Sequence, residues 1–291
     1  TGNETPEEMT LVAREKMREK YLQAEVGVTG ANFLIPETGS IAITENEGNA
    51  RLSAAFPKTH IVITGIEKVI PQLQDLSLFW PLLSTYGTGQ QMTVYNSIIS
   101  GPRSAREQDG PDEMYVILLD NGRTNILQDP VSRESLYCIR CGACLNACPV
   151  YKNIGGHSYG TTYSGPIGSV ITPNLKDLGE WNHLSHASSL CGGCTEVCAV
   201  KINLHELLLN NRRETVRLGK GNMMEKIAWT VWQQSMLFRP AMNLGNSKIK
   251  NWMVNKIFKG WVAHRSDLHF PEKTFNQLWK EKQLSQTAQL N

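Results

Sequence analysis

Several common functional signatures are missing from this 291-residue chain. No run approaches about 18 consecutive apolar residues, so no transmembrane helix is expected. Neither G-x-G-x-x-G nor G-x-x-x-x-G-K-[ST] occurs, which excludes a recognisable nucleotide loop. No Ser/His/Asp spacing and no carboxylate pair stands out for catalysis, and nothing matches a nucleic-acid motif. Cysteine is absent from residues 1–137 and from 199–291. All seven copies fall in two tight groups. Cys138, Cys141, Cys144 and Cys148 follow C-x2-C-x2-C-x3-C-P, closing on Pro149, and Cys191, Cys194 and Cys198 follow C-x2-C-x3-C.

The first group has the bacterial ferredoxin spacing for a cubane iron–sulfur cluster, in which the fourth cysteine ligates the other cluster. Three thiolates two residues apart can wrap successive corners of a cubane. Ile139 and Arg140 fill one gap, and the small pair Gly142 and Ala143 the other. Cys148 stands about one helical turn further on, and Pro149 steers the chain away. Structural zinc prefers four ligands arranged as two separated pairs, a poor match to 2-2-3 spacing. An odd number of clustered cysteines also argues against a disulfide framework in an oxidising compartment. The pattern is that of an electron carrier.

The second group has a gap. Three residues before Cys191, where a complete run would begin, stands Ser188, and Ala199 replaces the proline. Crossed ligation assigns Cys138, Cys141, Cys144 and Cys198 to one cluster and only Cys148, Cys191 and Cys194 to the other. The second is then either a [4Fe-4S] cubane with a non-cysteine fourth ligand or a [3Fe-4S] cluster. Ser188 and His186 are the nearest candidates for that corner, although each also reads as an ordinary polar loop residue. His157, His183 and His205 lie in or near the same region and are assigned to no metal.

The net charge of +2 hides an asymmetry. Residues 201–291 hold 15 Lys/Arg against 6 Asp/Glu, a balance of +9, and residues 1–200 hold 14 against 21, a balance of −7. Five of the seven tryptophans lie in the basic part: Trp229, Trp232, Trp252, Trp261 and Trp279. Basic helices with interleaved aromatics suit packing on their own chain or on an acidic partner subunit; peripheral contact with an anionic membrane surface is a further reading. Cysteines kept free for clusters fit a reducing cytoplasm.

The chain divides into three parts. Residues 1–130 read as α/β. A helix over Glu7–Ala24, with Met9, Val12, Met17 and Leu22 as its apolar stripe, precedes strands at Val26–Ile35, Ser40–Thr44 and His60–Thr64. A helix interrupted by Pro71 and Pro81 is expected over Glu67–Leu83, and a strand over Met114–Leu119 ends in Asp120-Asn121-Gly122, a hairpin signal. Glu37-Thr38-Gly39-Ser40, Asn46-Glu47-Gly48-Asn49 and Thr85-Tyr86-Gly87-Thr88-Gly89 read as turns whose glycines supply positive φ. Residues 131–205 are the cluster module, mostly helical, with its two motifs on separate helices. Residues 206–291 form a helical, basic C-terminal region, with Leu207, Leu208 and Val216 marking the apolar face of its first helix.

The string Gly27-Val28-Thr29-Gly30-Ala31-Asn32-Phe33, the two following turns, the cysteine module with Cys191-Gly192-Gly193-Cys194-Thr195-Glu196-Val197-Cys198, and His269-Phe270-Pro271 together resemble the lactate utilisation protein B family. The resemblance runs over essentially the whole chain. It implies that the α/β part is Rossmann-like, of the group holding CoA transferases and ribose-phosphate isomerases, and that the first half of that domain is missing from a truncated chain. It also implies two four-iron clusters, the second with three cysteines, and cytoplasmic action with two companion subunits in oxidising L-lactate to pyruvate. Ala199 departs from the proline common in relatives but removes no ligand.

The expected role is therefore an iron–sulfur electron-transfer subunit without acid–base or hydride chemistry of its own. Two alternatives stand beside it. One is the electron-transfer arm of another system, such as a glycolate oxidase or a heterodisulfide-reductase-like complex; the other is a binding module that senses a metabolite and redox state.

Overall fold

The computed structural model describes residues 5–220, 223–233, 248–269 and 271–289, in two compact units, residues 1–220 and residues 221–291. The first unit opens with α1 (Pro6–Gln23), β1 (Val26–Thr29), β2 (Phe33–Ile35), β3 (Ser40–Glu45), α2 (Asn49–Ala55), β4 (Thr59–Gly65), α3 (Leu76–Thr88), β5 (Tyr95–Ile99) and β6 (Glu113–Leu119). Two three-stranded sheets result, a parallel one in the order β1-β4-β6 and an antiparallel one in the order β2-β3-β5. A mixed α/β domain containing a parallel sheet agrees with the expectation for this region.

Local chemistry explains most of these boundaries. Thr5 caps α1 in a reciprocal box with Glu8, and Pro6 opens the helix where its missing N–H costs nothing. The expected apolar stripe is not a stripe. At about 100° per residue, Met9, Val12, Met17 and Leu22 fan around the axis, and α1 buries no residue. The expected strand over Val26–Ile35 divides into β1 and β2, which belong to different sheets. Gly27 lets α2 approach β1, since a Cβ there would lie 1.8 Å from the Ser53 carbonyl oxygen. Gly39, at φ +63°, does turn the β2–β3 hairpin, but Gly48 (φ +80°) precedes α2 and Gly89 (φ +75°) ends α3, so these two belong to helix ends. Residues Glu67–Leu83 hold two short 3₁₀ turns before α3, which carries Pro81 inside it. Asp120-Asn121-Gly122 leads into a helix, α4 (Arg123–Gln128), rather than a hairpin; Gly122 at φ +84° starts that helix, and the Asp120 carboxylate accepts from the Thr124 N–H.

The remaining helices of the unit are α5 (Ala143–Ala147), α6 (Pro149–Ile154), α7 (Gly165–Leu175), α8 (Asn182–His186), α9 (Gly193–Glu196) and α10 (Leu204–Arg217). The apolar α7 is their axis, buried from Gly165 through Pro173 and flanked by α5, α8 and α10. Asn211 of α10, buried, donates to the Val170 carbonyl and the Ser185 hydroxyl and accepts from Asn174, while Ser185 donates to the Ser169 carbonyl. Buried amides and hydroxyls so paired fix the register of α7, α8 and α10. Leu204, Leu207, Leu208 and Thr215 share the buried face with Asn211, whereas Val216 lies about 100° away and is exposed, contrary to expectation.

In the second unit, helices cover Met223–Gln233, Lys248–Ile257, Lys259–Val262 and Phe275–Gln289. Trp229, Trp252 and Trp279 are at least half exposed, so no core covers these three. Lys256 sits over the Trp252 ring at 4.7 Å, and Phe275 stacks on Trp279. The side chains of Trp232 and Trp261, together with Phe270, lie outside the described residues. Among the described residues no helix is long and apolar enough to cross a membrane.

One apolar cluster joins the sheet region to the cysteine region. Phe33, Ile35, Ala42, Ile70, Leu76 and Leu83 pack with Ile139, the residue after Cys138, and with the partly buried Cys141, Ala199 and Val200. Replacing Ile139 with Ala removes three buried carbons from this contact and is expected to cost about 2–4 kcal/mol. Urea denaturation measures it, and a loss below about 0.5 kcal/mol would show that the contact does not bind the two regions together.

Candidate metal centre

Each cysteine motif folds into the same tight path. Arg140 and Leu190, both at positive φ (+65° and +52°), precede Cys141 and Cys191. Gly142 and Gly192 (φ +82° and +81°) then start α5 and α9, which carry the buried Cys144 and Cys194 one position after their first residues. The turn hydrogen bonds repeat as well, Leu145 N–H to the Gly142 carbonyl and Thr195 N–H to the Gly192 carbonyl, each at 2.9 Å. Left-handed backbone at these points curls the chain tightly, and in the first motif Cys138, Cys141 and Cys144 come to line one cavity.

Four of the seven cysteines line one cavity of about 190 Å³: Cys138, Cys141 and Cys144 from the first motif and Cys198 from the second. Its other walls include Tyr163, Ile167 and Ile202. Cys148, Cys191 and Cys194 are not among the residues lining this cavity; Cys148 and Cys191 act electrostatically on Cys194, which packs in one buried cluster with Cys144 and Cys198. Cys191 is exposed, whereas Cys144, Cys194 and Cys198 are buried.

Backbone N–H groups are aimed at the sulfurs. Arg140 donates to Cys138 Sγ at 3.4 Å, Tyr151 to Cys148 Sγ at 3.4 Å and Ile202 to Cys198 Sγ at 3.3 Å. Burial pushes the Cys144 thiol up to about 12, and the N–H of Ile167, at the start of α7, pulls the other way. Cys141 and Cys194 are also raised by burial, opposed by the N–H groups of Ala143 and Thr195. Cys191 is lowered by the Gly193 N–H. Buried thiols resist ionising alone, so a centre in this cavity needs a cation to hold the thiolates.

The cavity's rim carries an excess of positive charge that only the fold assembles. Arg123 pairs with Glu67 at 2.7 Å, both side chains at most 5% exposed, and Arg140 reaches the same carboxylate at 3.8 Å. Arg123 also donates to the Tyr163 hydroxyl, and the Arg140 guanidinium lies 4.1 Å over the Tyr163 ring. Lys68 Nζ donates to the Cys138 carbonyl at 2.7 Å. Burial lowers the Lys68 amine to about 8, Arg140 pushes the same way, and Cys138 and Glu67 oppose. Three cations thus face one carboxylate beside the four-cysteine cavity. A cluster held by four thiolates carries negative charge and supplies the missing counter-ion, so the residues fit an anionic iron–sulfur group. Glu67, Lys68, Arg123 and Tyr163 were not legible as site residues, because no local motif connects them to the cysteines.

His205 Nδ1 meets the Thr195 hydroxyl at 2.8 Å, and His183 Nδ1 the Glu180 carbonyl at 3.2 Å. Neither ring is turned on a cysteine by these contacts.

Known proteins repeat this order of parts. Residues 3–119 match the LUD domain and residues 134–202 the 4Fe-4S dicluster domain. Lactate utilization protein B of Shouchella clausii is 49% identical over 73% of this chain and 45% of its own length. The protein of the same name from Bacillus velezensis is 47% identical over 96% of this chain and 62% of its own length. The chain thus spans about half the length of the curated relatives it matches. A crystal structure of a DUF162 family protein from Deinococcus radiodurans covers 34% of this chain and 56% of its own, at 18% identity and a TM-score of 0.26.

Removing the carboxylate by Glu67→Ala leaves Arg123 buried without its partner. A loss of about 3–5 kcal/mol in unfolding free energy is expected. A loss under about 1 kcal/mol in urea titration would mean that the pair does not hold the rim together.

Proposed function

Since the chain belongs to the lactate utilization protein B family, we propose that it is an electron-transfer subunit serving the oxidation of L-lactate to pyruvate, with two clusters of the [4Fe-4S] type. The observation that carries this reading is the cavity in which cysteines of both motifs meet. Cys138, Cys141, Cys144 and Cys198 hold the first cluster, and Cys148, Cys191 and Cys194 hold the second, which is a [3Fe-4S] cluster if its last corner stays empty. When bound, the clusters supply acceptance and donation of one electron at a time.

The chain's own residues create the conditions for that relay. Ile139 and the apolar residues around it keep water from one side of the first site. N–H groups of Arg140, Tyr151 and Ile202 stabilise charge on sulfur, and such contacts tune potentials. The exposed Cys191 puts the second site at the surface, where electrons can be exchanged with another protein. Lactate oxidation releases two electrons and two protons, and the clusters store and forward electrons one at a time, which places the substrate site on a companion subunit or at an interface shared with one. The exposed tryptophans on the basic region suit contact with such a companion.

In this reading residues 1–130 are a Rossmann-like portion of the LUD domain, related to CoA transferases and ribose-phosphate isomerases, and the parallel sheet supports that class. Residues 131–205 are the ferredoxin-type module and residues 206–291 the helical basic region. Free cysteines fit action in the cytoplasm.

Iron and labile-sulfide analysis with EPR, on anaerobically prepared protein before and after dithionite, tests the reading. About eight irons per chain are expected, falling to about four in Cys198→Ala if only the first cluster is lost. Lactate should reduce the clusters only when companion subunits are present. Zinc without labile sulfide, after reconstitution, would overturn the electron-transfer role.

A further inference from the structure

We propose that the Ser188 hydroxyl is the fourth ligand of the second cluster, an inference that rests on the two-cluster reading above. Ser188 stands three residues before Cys191, as Cys138 stands before Cys141, and the fold gives the two positions the same backbone path and local hydrogen bonds. The Leu190 N–H donates to Ser188 Oγ at 3.2 Å, and the Arg140 N–H donates to Cys138 Sγ at 3.4 Å. Both donors lie at positive φ, and both are followed by a cysteine and a positive-φ glycine.

The carbonyls match too. Arg212 donates to the Ser188 carbonyl at 2.9 Å, and Lys68 donates to the Cys138 carbonyl at 2.7 Å. Arg212 also donates to the Ser185 carbonyl at 3.0 Å, so α10 pins the turn that delivers Ser188. Both ligand positions are partly buried. The serine therefore occupies the place of a missing thiolate in backbone path, in the hydrogen bond to its side chain and in the capping of its carbonyl.

The neighbouring candidates lack this match. Ser189 corresponds to Ile139 and directs its hydroxyl to the Cys191 thiol, and His186 lies two residues before the ligand position. Coordination would replace the Ser188 Oγ–H bond by an Oγ–Fe bond, the proton leaving to solvent through the exposed side on which Cys191 sits. No electron is gained or lost in that exchange. An alkoxide oxygen is a harder donor than a thiolate and favours the more oxidised iron, so this corner lowers the second cluster's potential relative to a four-cysteine site.

The test compares the whole chain with S188A, S188C, S189A and H186A, each prepared anaerobically with excess iron and sulfide. Iron counts, oxidised-state EPR and redox titration of the second cluster are read. Wild type, S189A and H186A are expected to hold about eight irons, and S188A about seven with a three-iron signal. S188C should restore about eight and shift the reduction equilibrium of the second cluster at least tenfold toward the reduced form, which is about 59 mV for one electron. Retention of eight irons and an unchanged signal in S188A would overturn the proposal. So would a three-iron signal in the iron-replete wild type, or loss of iron in H186A or S189A alone. If S188A fails to fold, S188C decides, and an unmoved potential there counts against Ser188. Wild-type protein with no labile sulfide would remove the electron-transfer reading itself, an outcome distinct from all of these.

Discussion

The contact on which the rest of the molecule turns is the burial of Ile139 in the core of the α/β region. A ferredoxin-like loop is short and contains few side chains able to hold it in place. Here the residue between the first cysteine and the tight turn at Arg140 is only 5% exposed, packed with Phe33, Ile35 and Leu83. The same cluster takes in Cys141 from the first motif and Ala199 and Val200 from just after the second. One apolar contact therefore fixes both motifs to one support, and burial of a branched aliphatic side chain contributes about 1.5–3 kcal/mol toward doing so. Fixed motifs are what allow Cys198 to share a cavity with cysteines more than 50 residues earlier.

Two motifs with one backbone path have received different surroundings. In the first, the residue after the ligand position is Ile139, covered by the α/β region; in the second it is Ser189, exposed to solvent. The first cavity is consequently lined by apolar walls and the second site opens outward at Cys191. That asymmetry suits the proposed relay, since a centre shielded on all sides exchanges electrons slowly with partners and one exposed on all sides loses control of its potential.

The two cysteine motifs and the dicluster module they mark were the most legible part of the sequence, because ligand spacing is a local constraint written into adjacent residues. The β-rich runs at Ser40–Thr44 and His60–Thr64 were legible for a similar reason, each being a short apolar segment with clear boundaries. β5 was missed because Tyr95-Asn96-Ser97 interrupts its apolar character with polar residues that pair across to β3. Asp120-Asn121-Gly122 misled because the same left-handed glycine that closes a hairpin also starts a helix, and only the downstream packing of Ile126 against Leu136 and Ile171 decides between them. The rim of charge at Glu67, Lys68, Arg123 and Arg140 could not have been read at all. Its members come from three separated stretches, and their proximity is a product of tertiary structure.

That rim explains why cluster binding and folding should be coupled in this chain. Arg123 is almost wholly buried with a single carboxylate, while Arg140 and Lys68 crowd the same side of the Cys138 loop. Without an anionic group, the excess positive charge repels itself, and the amine of Lys68 is already held far below its ordinary range by burial. The buried thiols suffer the opposite penalty, since Cys144 resists becoming a thiolate. Each set of groups is unfavourable alone, for reasons that would cancel if a cluster held the cavity's four cysteines as thiolates beside the cations. The free energy of holding such a cluster would then partly be the free energy of relieving two unfavourable charge distributions, which would couple folding of this region to loading of the site.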